Sequence, residues 1–219
     1  MTNKFKFLFG ALYVCAITIV SGQGSAVSNI KDIKGTPYLD EAYASGVIYY
    51  ADKKQEAPVR YNAFQDLIEY QQSGRTLVLD PNETIKKVTF GTYTFVPHKY
   101  ESKGKTKLGY FAVLDSGKMT LYSKKQINYL PARKGGALDG SDQVADFKKP
   151  IDTFYFKVGD GPLQEVDNIK SMIASFPDKH EEMTQFAKKE KISPRKEKEM
   201  IQFVQYYNSL ESLAISSER

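Results

Sequence analysis

The spacing of apolar residues changes once along this chain, and that change constrains the fold more than any other feature. Between Gly46 and about Val166 the apolar residues come in short, often alternating runs rich in Val, Ile, Tyr, Phe and Thr, the pattern of β-strands. After Val166 they recur every three or four residues, which is typical of amphipathic helices. Strands followed by helices favour an α+β fold over a parallel α/β fold.

The first part is predicted to form a curved antiparallel β-sheet, or a partly open barrel, of about ten strands. Asp115–Gly117 and Gly159–Gly161 separate apolar runs and are typical of tight hairpin turns. Tyr93 and Phe95 alternate on one face, as expected for a sheet with one dry side. The predicted strands are Val47–Ala51, Val59–Phe64, Leu67–Gln71, Thr76–Leu79, Lys87–Phe90, Tyr93–His98, Leu108–Leu114, Met119–Lys124, Gln126–Leu130, Thr153–Val158 and Leu163–Val166.

Two or three C-terminal α-helices are predicted to follow and to pack on the sheet. Asn168 and Asp178 are expected to cap the first two, and Ser193 is expected to cap a third that starts at Pro194. The third helix carries an apolar stripe, which needs a partner because a lone amphipathic helix is marginal in water. The stripe consists of Met200, Phe203, Val204, Tyr207 and Leu210.

The N-terminus has the layout of a secretory signal peptide. Two early lysines precede an uncharged apolar run, which ends at Val20 before small residues. The run is shorter than the ~20 apolar residues of a membrane-spanning helix. Cleavage is expected after Gly22, with Ala26 as the alternative, and lipid attachment at Cys15 is disfavoured because Val14 is not small.

Four segments are therefore expected: a signal peptide (1–22), an N-terminal lead-in (23–45), an antiparallel β domain (46–166) and a C-terminal helical segment (167–215). The mature protein is expected in the periplasm or at the cell surface, without a membrane span. Since Cys15 is the only cysteine, cleavage also removes disulfide and metal–thiolate chemistry.

Several short stretches stand out along the chain: Gly35–Leu39, Gly46–Tyr49, Arg60–Asn62, Gly109–Phe111 with Leu114, Phe176–Lys179, Ile192 and Tyr206–Leu210. Together they resemble a family of uncharacterised secreted proteins from Bacteroidetes-type bacteria. The resemblance covers most of the mature chain and implies an exported envelope protein of unknown activity, without assigned catalytic residues.

No catalytic, cofactor or metal site is predicted from motifs. His98 and His180 are the only histidines, and the segment from His180 lacks the second histidine of a zinc-binding H-E-x-x-H helix. Asp139, Asp142 and Asp146 share a polar loop, but their spacing does not match a calcium-binding EF-hand. A structural or surface role is expected for both histidines.

Basic residues are concentrated between Pro97 and Lys149, where eleven basic residues accompany five acidic ones. Such a region suits an anionic glycan, a lipid headgroup or an acidic protein of the envelope, and an exported chain seldom meets nucleic acid. Solvated lysines that protect sheet edges are the simpler explanation. The candidate ligand- or partner-binding residues are Tyr49, Arg60, Tyr61, Tyr110, Lys103, Lys105 and Lys107.

Three functional hypotheses follow. The leading one is a non-enzymatic binding or scaffolding module of the cell envelope. The second is a small-ligand carrier with a tyrosine-lined barrel mouth, which requires an internal cavity. The third is a glycan-acting enzyme with two carboxylates from distant strands facing each other across a cleft.

Overall fold

The computed structural model describes residues 33–135 and 141–217, apart from the side chains of residues 211–217. The predicted signal peptide, Cys15 and Asp139 lie outside these ranges. Within them, the strands are β1 (Ile33–Lys34), β2 (Ala44–Tyr50), β3 (Lys54–Asn62), β4 (Leu67–Gln72), β5 (Arg75–Leu79), β6 (Ile85–Phe90), β7 (Tyr93–Ser102), β8 (Lys105–Asp115), β9 (Met119–Gln126), β10 (Tyr129–Leu130), β11 (Ala145–Phe147), β12 (Ile151–Val158) and β13 (Gln164–Glu165). The helices are α1 (Ile169–Ala174), α2 (His180–Lys189) and α3 (Glu197–Ser217).

Ten of the strands form one antiparallel sheet that curls into a half-barrel, which confirms the predicted α+β fold. Their order across the sheet is β13-β12-β9-β8-β7-β6-β2-β3-β4-β5. The turns predicted at Asp115–Gly117 and Gly159–Gly161 join the antiparallel pairs β8–β9 and β12–β13. Most neighbours in the sheet are also neighbours in sequence, so short turns fix its topology.

One face of the sheet carries two apolar clusters. The register places Phe95, Ala112, Ser123 and Phe154 opposite one another across β7, β8, β9 and β12, so they share this face. Over β2 to β8 the face packs within the curl of the sheet. Over β9 and β12 it packs against the helices.

The helices cover the second cluster. Met200, Phe203, Val204 and Tyr207 of the predicted stripe have no exposed surface, and they pack in one cluster with β9 and β12. Burial of each such side chain contributes about 1.5–3 kcal/mol, so this contact supplies the partner that α3 requires. Among the described residues, no helix is both long and apolar enough to cross a membrane.

The helix starts agree only in part with the predicted caps. Asn168 caps α1 through a hydrogen bond from the Ser171 amide (2.8 Å). The cap predicted at Asp178 is wrong: Lys179 occupies that position, and the Asp178 carboxylate instead accepts from the Tyr207 hydroxyl (3.0 Å). The third helix begins at Glu197 rather than Pro194, because Ser193 to Lys196 form a separate turn.

A small mixed sheet was not predicted. Its order is β1-β11-β10, with β1 parallel to β11 and β10 antiparallel to it. The predicted strand Gln126–Leu130 is wrong in its bounds: β9 continues through Gln126, and the Ile127 amide then bonds to the Ala63 carbonyl (3.1 Å). Only Tyr129 and Leu130 pair again, now in the small sheet.

The β3–β4 turn contacts a gap between β8 and β9 across the curled sheet, and we call this contact the closure. The recorded pairing of these strands ends at Ala112 and Ser123. Beyond it, the backbone of Tyr110 bonds to side chains: its amide donates to Asp66 Oδ1 (3.2 Å), and its carbonyl accepts from Lys124 Nζ (3.0 Å). Asp66 and Lys124 also form a short ion pair with each other.

The closure depends on two local features of the backbone. Asp66 adopts φ of +58°, a left-handed conformation that Asp tolerates better than most residues. A Cβ atom at Gly109 would lie 2.5 Å from both Asp66 Oδ2 and Lys124 Nζ, so any larger residue there would force the ion pair to shift. Lys124 is almost fully buried, which lowers its pKa by desolvation, while Asp66 opposes that shift.

We predict that Asp66→Ala lowers the free energy of unfolding by about 3 kcal/mol or more, because removing one partner leaves a buried charge uncompensated. Urea unfolding followed by circular dichroism measures the change. The control is Asp160→Ala in the exposed β12–β13 turn, where little change is expected. Equal effects of the two substitutions would show that the ion pair does not stabilise the closure.

Candidate functional site

Tyr61 and Tyr110, two of the predicted binding residues, lie together inside the closure. Both are fully buried, and their rings meet edge to face at 6.5 Å. The Tyr61 hydroxyl donates to Asp66 Oδ1 (2.7 Å), and the Tyr110 hydroxyl donates to the Leu79 carbonyl (3.2 Å). Burial, reinforced by Asp66, raises the pKa of both phenols. These tyrosines therefore belong to the packed core rather than to an accessible barrel mouth.

Arg60 lies on the opposite face of β3 and joins the N-terminal segment to the sheet. Its guanidinium donates to Glu69 Oε2 through Nε (2.9 Å) and Nη2 (2.6 Å). The rings of Tyr38 and Tyr43 lie 3.6 and 4.4 Å from its Cζ atom, and both hydroxyls donate to Glu69. A guanidinium suits such planar stacking and two-pronged binding. Arg60 is therefore held by internal contacts.

The Glu69 carboxylate is the acceptor for this whole cluster. Burial alone would raise the pKa of Glu69, but the hydrogen bonds from Arg60, Tyr38 and Tyr43 lower it overall. The neighbouring charge of Arg60 acts in the same direction. Because these contacts lower the pKa of Glu69 in the folded state, its ionised form stabilises the folded protein.

The basic stretch that holds Lys103, Lys105 and Lys107 is a β-hairpin, formed because β7 and β8 both extend beyond the predicted strands Tyr93–His98 and Leu108–Leu114. Pairing runs from Lys99 with Leu108 to Ser102 with Lys105. Lys103 and Gly104 form the turn with φ of +53° and +69°, the positive values that a two-residue hairpin turn requires. The lysines have exposed side chains at its tip.

The seven predicted residues do not assemble into one site. Tyr49 is half-buried on β2, where Lys87 lies 4.8 Å from its ring centre. Only Tyr61 and Tyr110 come together, while Arg60 faces the other side of the sheet. Lys107 lies close enough to Lys124 to help lower its pKa, which places the hairpin beside the closure.

An exposed group of aromatic rings was missed by the sequence analysis. Phe64, Tyr129 and Phe147 form what we call the aromatic surface, with ring centres 4.9–6.1 Å apart. Phe64 is 46% exposed and Tyr129 is 37% exposed. The strand predicted to end at Phe64 stops at Asn62, so the ring lies on the turn rather than on a sheet face. Turn placement of this kind leaves no periodic signal in the sequence.

Four clefts on the described surface bear on the enzyme and carrier hypotheses. The most apolar, of about 560 Å³, lies along α1 and α2 and is lined chiefly by Ile169, Ile173, Ala187 and Ile192. Each of the four contains at most one carboxylate, whereas glycoside hydrolysis uses two facing each other. None of the four is lined by Tyr61 or Tyr110.

The acidic loop forms local contacts in its described part. Asp142 accepts a hydrogen bond from the Gly135 amide (3.0 Å), and Asp146 pairs with Lys148 (2.5 Å). Across the described ranges, no group of three or more His, Cys, Asp or Glu side chains is placed to hold a metal ion. Comparison of the chain with protein-family models, curated proteins and solved structures finds no match. Function must therefore be inferred from geometry and charge.

We predict that Glu69→Gln destabilises the protein by about 2 kcal/mol at neutral pH, because a charged hydrogen-bond acceptor is lost. The folded-state pKa of Glu69 lies below its unfolded value of about 4.3. Its contribution is therefore present above the unfolded pKa and is lost as pH falls through the folded pKa. Urea unfolding at pH 7 and at pH 3 should show the difference between wild type and variant shrinking in acid.

The matched control for this pH dependence is Glu56→Gln, whose exposed carboxylate lies 3.9 Å from Lys54. Exposed pairs of this type contribute little, so no measurable change is expected at either pH. A wild-type-to-Glu69→Gln difference that stays constant from pH 7 to pH 3 would contradict a role for Glu69 ionisation.

Proposed function

We propose that this protein is an exported, non-enzymatic binding module that holds a partner protein of the cell envelope on its aromatic surface. The observation that carries the proposal is the three-ring cluster of Phe64, Tyr129 and Phe147, two of whose rings are more than one-third exposed. Clustered exposed apolar groups mark interaction sites more often than single ones do. Aromatic residues are also enriched at the centres of protein interfaces.

The aromatic surface is held by the fold from three directions. Phe147 packs partly on the first apolar cluster, and the Phe64 amide donates to the Pro37 carbonyl (3.2 Å). Tyr129 pairs with Phe147 across β10 and β11. Rings fixed in this way lose little conformational freedom when a partner binds, which favours affinity. On the same face of the small sheet, Ile33 pairs with Ala145, two residues before Phe147, and its exposed side chain adds apolar area.

The charged side chains described above differ from the aromatic surface because they already have partners within the fold. Arg60 and Glu69 bind each other, and Asp66 and Lys124 do the same within the closure. Each charge is paired at its site, so these clusters are suited to stabilising the fold. This contrast supports a binding role through the aromatic surface over chemistry at the predicted tyrosines.

We predict that a photoreactive phenylalanine analogue at position 64 captures a defined envelope protein in cells of the native host. Mass spectrometry would identify the adduct, and the same analogue at exposed Gln72 on β4 should not give it. Binding of the identified protein is then measured by calorimetry. Phe64→Ala should weaken it about 30-fold, the effect of losing an interfacial anchor worth about 2 kcal/mol.

Val78→Ala is the matched control for this measurement, because Val78 is 54% exposed on the edge strand β5 but lies outside the aromatic surface. It should leave affinity unchanged. Thermal unfolding of both variants separates lost binding from lost folding. The proposal fails if position 64 gives no specific adduct, or if Phe64→Ala binds the captured protein as tightly as wild type does.

Export is the second part of the proposal and rests on the layout of residues 1–22. We predict that protein recovered from the envelope fraction begins at Gln23, or at Val27 if the alternative cleavage is used. Intact-mass and N-terminal peptide analysis measure this directly. Recovery of an uncleaved chain, still beginning at Met1, from the cytosol would contradict export.

A further inference from the structure

A basic cleft lies where the start of β6 meets β7, β8, β12 and the turn before β13. Its volume is about 460 Å³. Four of its lining residues carry basic side chains, from three different strands, and one carries a carboxylate. These residues are Lys86, His98, Lys99, Lys157 and Glu83.

The charges in this cleft are not balanced internally. Glu83 is paired with Lys99 at 2.6 Å. Within the described residues, Lys86 and Lys157 form no salt bridge, and Lys157 is only partly exposed. The lining therefore carries a net charge of about +2 when His98 is neutral. A partly desolvated lysine without a counter-ion interacts more strongly with an incoming anion than a lysine in open solvent does.

His98 lines the same cleft as these lysines. Its ring packs edge-on against Tyr122 (4.9 Å) and Phe111 (6.0 Å). Burial first, and then the charge of Lys157, lower the pKa of His98, so that it is neutral at pH 7. No hydrogen bond to its ring nitrogens is formed by the described residues, so the imidazole is available to a ligand. The predicted strand ends at His98, but β7 continues to Ser102, so His98 lies within it.

We infer that this cleft binds a tetrahedral oxyanion, namely a phosphoryl or sulfo group, through Lys86, Lys157 and His98. Lysines act as point charges toward such a group, and the imidazole supplies a directional hydrogen bond. Leu108 and Leu163 contribute apolar surface to the lining. The site does not share residues with the aromatic surface, so the two proposals stand or fall separately.

The test is a titration of the purified protein with sodium phosphate at pH 7 and constant ionic strength, followed by NMR of the histidine rings. The chain has only two histidines, so His180→Gln assigns the signals. We expect a saturable shift of the His98 ring and none of His180. Lys157→Met and Lys86→Met should each weaken phosphate binding by about tenfold, equivalent to about 1.4 kcal/mol. Two variants are used so that the test still gives an answer if one of them folds poorly.

Lys103→Met is the matched control, since it removes the same charge from the exposed tip of the β7–β8 hairpin. It should change the affinity by less than twofold. Linear shifts without saturation, equal shifts of both histidines, or an equal loss in Lys103→Met would overturn the site. Each of these results would show only diffuse attraction between phosphate and a basic protein.

Two further arms identify the source of the oxyanion. One uses phosphatidylcholine vesicles with and without an anionic phospholipid, and the other uses a hexose phosphate. Vesicle binding that requires the anionic lipid and is lost in Lys157→Met supports a lipid headgroup. Hexose phosphate binding that is lost in the same variant supports a phosphorylated glycan. If neither Lys157→Met nor Lys86→Met weakens any of these interactions, the inference is wrong.

Discussion

The ion pair between Asp66 and Lys124 joins the β3–β4 turn to β8 and β9 within the curled sheet. Where β8 and β9 separate, the amide and carbonyl of Tyr110 would lack partners, and buried backbone groups of this kind are costly. Asp66 and Lys124 supply both partners and neutralise each other. The same contact anchors the β3–β4 turn, so Phe64, two residues before Asp66, is held beside the small sheet. The geometry of the aromatic surface thus follows from a buried electrostatic contact.

A second polar contact positions the helices. Lys125 shares the apolar face of β9, and its ammonium group binds Asp152 (3.0 Å) and Glu197 (2.7 Å). Burial would lower the pKa of Lys125, but the hydrogen bonds that it donates to these carboxylates, together with their charges, raise it overall. Glu197 is the first residue of α3, where negative charge is favoured by the helix dipole. Near the other end of the packed stripe, Asn208 bonds to the backbone of Met119. The apolar stripe thus supplies the contact energy, and the polar contacts set its register.

Features that repeat along the chain could be predicted from the sequence, and features made by a single tertiary contact could not. Alternation identified most strands of the large sheet, and the Asn168 cap was found because its partner lies three residues away. Asp178 has the same local cap chemistry, but Tyr207 and Lys118 bind its carboxylate instead. The β1–β11 pairing joins residues more than a hundred positions apart through two-residue registers, too short to show periodicity.

The candidate residues illustrate the same limit for function. Tyrosine, arginine and lysine were selected for their chemistry, yet Tyr61, Tyr110 and Arg60 use that chemistry within the fold. Residue type indicates which interactions a side chain can form, whereas its accessibility depends on which neighbours pack against it in the folded protein. Phe64 and Lys157 are common residue types that belong to no motif. The fold leaves the Phe64 ring partly in solvent and, among the described residues, gives the Lys157 ammonium group no salt-bridge partner. Each of these two groups can form a further contact, and a partner or ligand that binds it in the folded state stabilises the protein.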